Sequence, residues 1–151
     1  MSLGGGGGGG QMQQVAQQIE ELEQHKEALQ GEIEGLREEK REIDEAIEAI
    51  ETLDSGSTVQ VPLGGGAYLR AEVQDIDEVI VDLGADYAAE RDQAGAKSSL
   101  ESKKGTLDDR IEDIQSDIAE IETQTEQLEQ EAEQMQAQQM QQLQQQQQQD
   151  E

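Results

Sequence analysis

One histidine, His25, and no cysteine limit the chemistry open to this 151-residue chain. A lone imidazole can shuttle a proton, but nucleophilic catalysis also needs a Ser or Cys held beside a base. No such constellation accompanies His25, which falls on a polar position beside an apolar helix stripe. The lack of cysteine excludes thiol catalysis, disulfides and Cys-based zinc sites together. Carboxylates recur at helical spacing (Glu38, Glu42, Glu45), a pattern that makes a solvated face with weak cation binding rather than a metal-catalytic centre. Leu63-Gly64-Gly65-Gly66 is glycine-rich, yet no Lys follows and a strand pattern comes next, so it reads as a hairpin turn and not a phosphate loop. No catalytic residue, metal ligand or cofactor is expected.

Composition narrows the class further. The chain holds 36 acidic and 10 basic residues, for a net charge of −26, with 32% apolar residues and two Tyr as the only aromatics. Globular domains carry about 45–50% apolar residues and fill their cores with aromatic rings. The material here suits an elongated fold with a narrow buried stripe. Strong acidity repels phosphate backbones and anionic lipids, so nucleic-acid and membrane-surface roles are not expected. No apolar run approaches the roughly 18 residues of a membrane span, and the N-terminus lacks a signal-peptide pattern, which makes the cytoplasm the expected location. The charge is spread along the chain: 4 basic against 14 acidic residues over 1–54, 1 against 6 over 55–89, and 5 against 16 over 90–151. Such density suits a salt-rich cytosol, where the Debye length falls to about 3 Å near 1 M. A mesophilic coiled coil is the plainer alternative, because Glu is a good helix former.

Two heptad runs carry the architecture. In the first, Val15, Leu22, Leu29, Leu36, Ile43 and Ile50 share one register, and Met12, Ile19, Lys26, Ile33, Lys40 and Ile47 share the other. In the second, Leu100, Leu107, Ile114, Ile121, Leu128 and Met135 share one, with Lys97, Lys104, Ile111, Ile118, Thr125 and Ala132 three residues before them. Six sustained heptads predict coiled-coil helices. Between them the period drops to two: Val59, Val61 and Leu63, then Leu69, Ala71 and Val73, then Val79, Val81 and Leu83, then Tyr87 and Ala89. Glycines at 64–66 and at 84 allow the reversals, so two consecutive β-hairpins are expected. Pro62 suits an edge or a strand end.

The expected layout is a glycine-rich disordered N-terminus (1–10), helix 1 (11–54), two β-hairpins forming an oligomerisation platform (55–90), helix 2 (91–143) and a glutamine-rich acidic tail (144–151). The fold class is α+β, a long antiparallel coiled-coil hairpin with two central β-hairpins that build an oligomeric β-barrel body. Antiparallel pairing brings together residues whose numbers add to 147, such as Ile33 with Ile114, although a slip of one heptad also keeps the stripe inward. About 42 residues per helix would make an arm of roughly 63 Å.

Four strands with apolar faces and no covering helix need a partner. Val59, Val61, Leu63, Leu69, Ala71, Val73, Val79, Val81 and Leu83 are therefore the candidate oligomer interface. Seam positions Lys26, Lys40, Lys97 and Lys104 read as register control, their ammonium groups reaching out to Glu. At the far tip Met12, Val15, Ile19, Leu128, Met135, Met140 and Leu143 cluster. Most are seam residues first, but a fraying end with adaptable Met side chains suits irregular apolar partners.

Val59-Gln60-Val61-Pro62-Leu63-Gly64-Gly65-Gly66-Ala67-Tyr68-Leu69-Arg70-Ala71 and Val79-Ile80-Val81-Asp82-Leu83-Gly84-Ala85-Asp86-Tyr87-Ala88-Ala89-Glu90 resemble the α class of archaeal prefoldin subunits, over about residues 11–135. Two hairpins also fit the α class, since β-class subunits have one. The resemblance implies an ATP-independent holdase, a hexamer of two α and four prefoldin β subunits, with a double β-barrel and six arms. The tips of those arms would hold non-native proteins for transfer to a group II chaperonin. The competing reading is a structural coiled-coil tether without client-holding activity.

Overall fold

The computed structural model describes the backbone of residues 3–149 and the side-chain surroundings of residues 9–148. The elements run α1 (Leu3–Thr52), β1 (Thr58–Gly64), β2 (Ala67–Glu72), β3 (Val79–Gly84), β4 (Tyr87–Arg91) and α2 (Gln93–Gln149). This is the expected α+β order of helix, two hairpins, helix. Two units divide the chain: Met1–Ile33 with Glu112–Glu151, and Glu34–Ile111.

The first unit is a pair of helix segments. Val15 and Ile33 from α1 and Ile114, Ile121 and Thr125 from α2 are buried along its seam. Lys26 reaches across to Glu122 at 3.7 Å and lies 3.9 Å from Glu23 on its own helix. Those residue numbers add to 148, one from the expected register, whereas a heptad slip would separate them by about 10 Å. Thr125 is the flaw in the seam: its hydroxyl is buried and unpaired. Thr123, two residues earlier, instead donates to the Ala119 carbonyl at 3.0 Å, as helical Thr commonly does.

Helix α1 starts at Leu3 and so takes in the glycine run that the sequence places outside the fold. Each added helical residue completes one more backbone bond, so a helix nucleated in the seam can propagate outward even where Gly opposes it. At Gly9 and Gly10, the glycines of the run whose surroundings are described, an added Cβ meets no atom within 4 Å. At the other end α2 continues through the glutamines to Gln149. Asp150 and Glu151, the acidic end of the expected tail, lie outside the described residues.

The second unit joins helices to hairpins. Ile43 from α1, Val81 from β3, and Ala96 and Leu100 from α2 form its core, with Ala46, Ile47, Ile50, Val79 and Leu107 packed around them. Three seam lysines pair across the helices: Lys40 with Asp108, Lys97 with Glu51 at 2.5 Å, and Lys104 with Asp44 at 2.7 Å. Each pair again adds to 148. The hydrogen bond to Glu51, aided by that carboxylate's charge, holds Lys97 above its ordinary value of 10.5. The bond to Asp44 does the same for Lys104. A lysine raised in the folded state stabilises below its unfolded pKa and loses that contribution as pH climbs through the higher folded value. Both lysines therefore stay charged across neutral pH, and their contribution to these ties is lost in alkali.

Asp92 begins α2 as an N-cap, its carboxylate accepting from the Gly95 N–H at 2.6 Å. The hairpins are built alike. Strands β1 and β2 pair with Val61 opposite Leu69, and β3 and β4 with Val81 opposite Ala89. The ladders skip Leu63 and Leu83, which bulge out before a two-residue turn. Gly65 and Gly66 make the first turn at φ of 60° and 83°, as a hairpin of this twist requires. Ala85 and Asp86 make the second at 51° and 61°, in the left-handed region that disfavours a Cβ. Ala85→Gly should therefore raise the stability of this hairpin by about 0.5–1 kcal/mol. Slower amide exchange across β3 and β4 would report it, and unchanged exchange would show that the turn is unstrained.

Candidate functional site

Two apolar surfaces lack cover within their own units. The first lies on the hairpins. Val61, Leu63, Tyr68 and Leu69 are exposed on the first, Leu63 at 65%, and Ile80, Leu83 and Tyr87 on the second. Val59, Ala71 and Val73 near the base of the first hairpin are half-buried. Val59 shares a shallow groove with Ala49 and Leu53 of α1.

Val81 departs from the expected interface. It is 4% exposed and sits against Ile43, Ala96 and Leu100, with half-buried Val79 beside it. The inward face of β3 is core of this chain because the ends of α1 and α2 cover it. The pleat then turns Ile80 to the other side, where it is 75% exposed. Sequence reasoning passed over Ile80 and Tyr68 because they lie out of phase with the assumed face, and left Tyr87 out of the interface although it stands in the alternation of the fourth strand. The signal was present in β3, where Val79-Ile80-Val81 is apolar on both faces, the mark of a strand covered on both sides.

The second surface lies at the end of the first unit. Of the expected tip residues, Val15 is buried in the seam, and Met12, Ile19, Leu128 and Met135 are half-buried. Val15 is closed to any partner while the helices stay paired. Met140 and Leu143 on α2 are exposed at 64% and 60%. In the same unit a groove of about 550 Å³ is lined by Gln18, Glu21, Leu22 and His25 of α1 and Gln124, Gln127, Leu128 and Glu131 of α2. His25 thus borders a groove of amides, carboxylates and two leucines, with no Ser or Cys to activate. Among the described residues no group of three or more His, Asp or Glu is placed to hold a metal ion. No helix among them is long and apolar enough to cross a membrane.

Heptad helices that pair through a thin seam, and hairpins with uncovered apolar faces between them, define a coiled-coil subunit of the α+β class. The family model described as prefoldin subunit matches residues 22–149. A protein named prefoldin subunit alpha from Haloarcula marismortui is 68% identical over 113 residues, covering 75% of this chain and 73% of that protein. One of the same name from Halorubrum lacusprofundi is 68% identical over 79 residues, 52% of each chain. A cryo-EM structure of filamentous PFD from Methanocaldococcus jannaschii is similar at a TM-score of 0.51 and 27% identity, covering 78% of this chain and 93% of that one. The chain belongs to the prefoldin family. Within it the Haloarcula and Halorubrum proteins carry the α designation, and both come from halophilic archaea, in keeping with the charge of −26.

Proposed function

We propose that this chain is a subunit of an ATP-independent holdase, an α2β4 hexamer that acts in the cytoplasm and passes non-native proteins to a group II chaperonin. The exposed apolar residues at the end of the first unit carry the reading. Met140 and Leu143 stand on a helix with nothing packed over them, which in a soluble protein marks an interaction site. Val61, Leu63, Leu69 and Leu83 are the surface through which a second α and the prefoldin β subunits would close the body. Each helix-pair end holds a client weakly, and several ends on one body combine by effective concentration.

Light scattering of a model protein diluted from denaturant tests this, with the chain assembled on co-expressed partners. The complex should suppress aggregation without nucleotide. Truncation to residues 20–127, which removes Met12, Val15, Leu128, Met135, Met140 and Leu143, should preserve assembly and lower suppression by about tenfold or more, because loss at each end multiplies. Full suppression by the truncated complex would move the client site elsewhere. A full-length complex that suppresses nothing would leave the structural tether as the function.

A further inference from the structure

Charge stops short of one end of the first unit. Residues 3–19 and 134–149 contain no Asp, Glu, Lys or Arg, in a chain that holds 36 acidic and 10 basic residues. Charge ends at Glu20 on α1 and Glu133 on α2. The antiparallel pairing set by Lys26 and Glu122 in this unit brings the two neutral stretches alongside each other. Their surface is almost entirely glutamine, with Met140 and Leu143 three residues apart and exposed. The glycines from Gly4 to Gly10 carry no side chains to lay over them, and the space about Gly9 and Gly10 is open.

The missing charge identifies the partner. A neutral or basic segment would bind as well, or better, beside carboxylates like those covering the rest of the chain. An acidic segment would not, since each contact would bury like charges together and strip both of water. Salt does not remove that cost: at a Debye length of about 3 Å distant charges are screened, but groups in contact are not. Glutamine amides offer N–H donors to an incoming carboxylate without adding charge of their own. We infer that this end selects non-native segments in which apolar residues are interspersed with Asp and Glu. The inference rests on the holdase reading above and names the client class.

The test uses the assembled full-length complex and two clients, an acidic and a basic surface variant of one destabilised protein. Gln136→Glu with Gln144→Glu places charge one helical turn to either side of Met140, on exposed positions. At 0.5 M KCl this pair should weaken capture of the acidic client on the order of fivefold, only partly restored at 3 M KCl, and leave the basic client held as well or better. Gln136→Lys with Gln144→Lys should reverse the preference, and circular dichroism checks that both pairs keep the helix. Equal capture of the acidic client by the Glu pair and the wild type would overturn the inference, as would a wild type that holds only the basic client. A wild type that holds neither client overturns the holdase reading instead.

Discussion

Val81→Asp unfolds the junction of helices and hairpins within the single chain, before assembly is reached. The side chain is 4% exposed and shares its core with Ile43, Ala96 and Leu100. Losing the buried valine removes about 1.5–3 kcal/mol of apolar burial. The incoming carboxylate finds no partner in an all-apolar cluster, and the combined cost exceeds about 4 kcal/mol. Leu83→Asp makes the contrast. That residue bulges from its ladder at 38% exposure, outside the core cluster, so its charge is solvated in the monomer. Leu83→Asp should keep the helical signal and melting temperature of the separate chain and block the large complex on size exclusion. Val81→Asp should lose both. Wild-type melting of Val81→Asp would mean that the junction core contributes little, and a full-size complex from Leu83→Asp would remove that residue from the interface.

Helicity and assembly rise with KCl up to molar concentration, and the helix pair melts partly near 50 mM. The chain has 36 anions for 10 cations. Four of those cations, Lys26, Lys40, Lys97 and Lys104, already bridge the helices. Exposed pairs of this kind contribute about 0–1 kcal/mol each and cannot offset the remaining repulsion. The seam offers a narrow apolar stripe against it and contains a buried hydroxyl, Thr125, with no partner. Screening is the remaining remedy, and it strengthens from a Debye length above about 10 Å below 0.1 M to about 3 Å at 1 M. Circular dichroism at 222 nm across a KCl series reads the effect. A flat signal from 50 mM to 2 M would show that the stripe alone holds the helices together.

Most of the architecture was legible because each element repeats a simple period. Six heptads specified each helix, and alternation with Gly64 to Gly66 and Gly84 marked both hairpins. The ion pairs then select one register from several that the apolar stripe allowed. What stayed hidden was which face of a hairpin its own chain would cover. Alternation in β3 shows that Val79 and Val81 share a side, but only the position of Ile43 and Leu100 turns that side into core. At the end of the first unit the count did separate the faces: Val15 holds a seam position and is buried, while Met140 falls outside both registers and is exposed. Helix propagation across the glycine run also opposes propensity, so composition alone argued against it.

Gln93, at the start of α2, donates its side-chain amide to the carbonyls of Ile50 at 2.6 Å and Leu53 at 3.3 Å. The last turn of one helix is thereby closed by the first residue of the other. The hairpins between them, residues 54–92, are in topological terms an insert spliced between two ends already tied together. A cassette of different length could replace them if it returned the chain to Gln93 and laid one apolar side chain over Ile43 and Leu100, where Val81 now sits. The paired helices are then a reusable mount, and the number of hairpins they carry can change without rebuilding the seam.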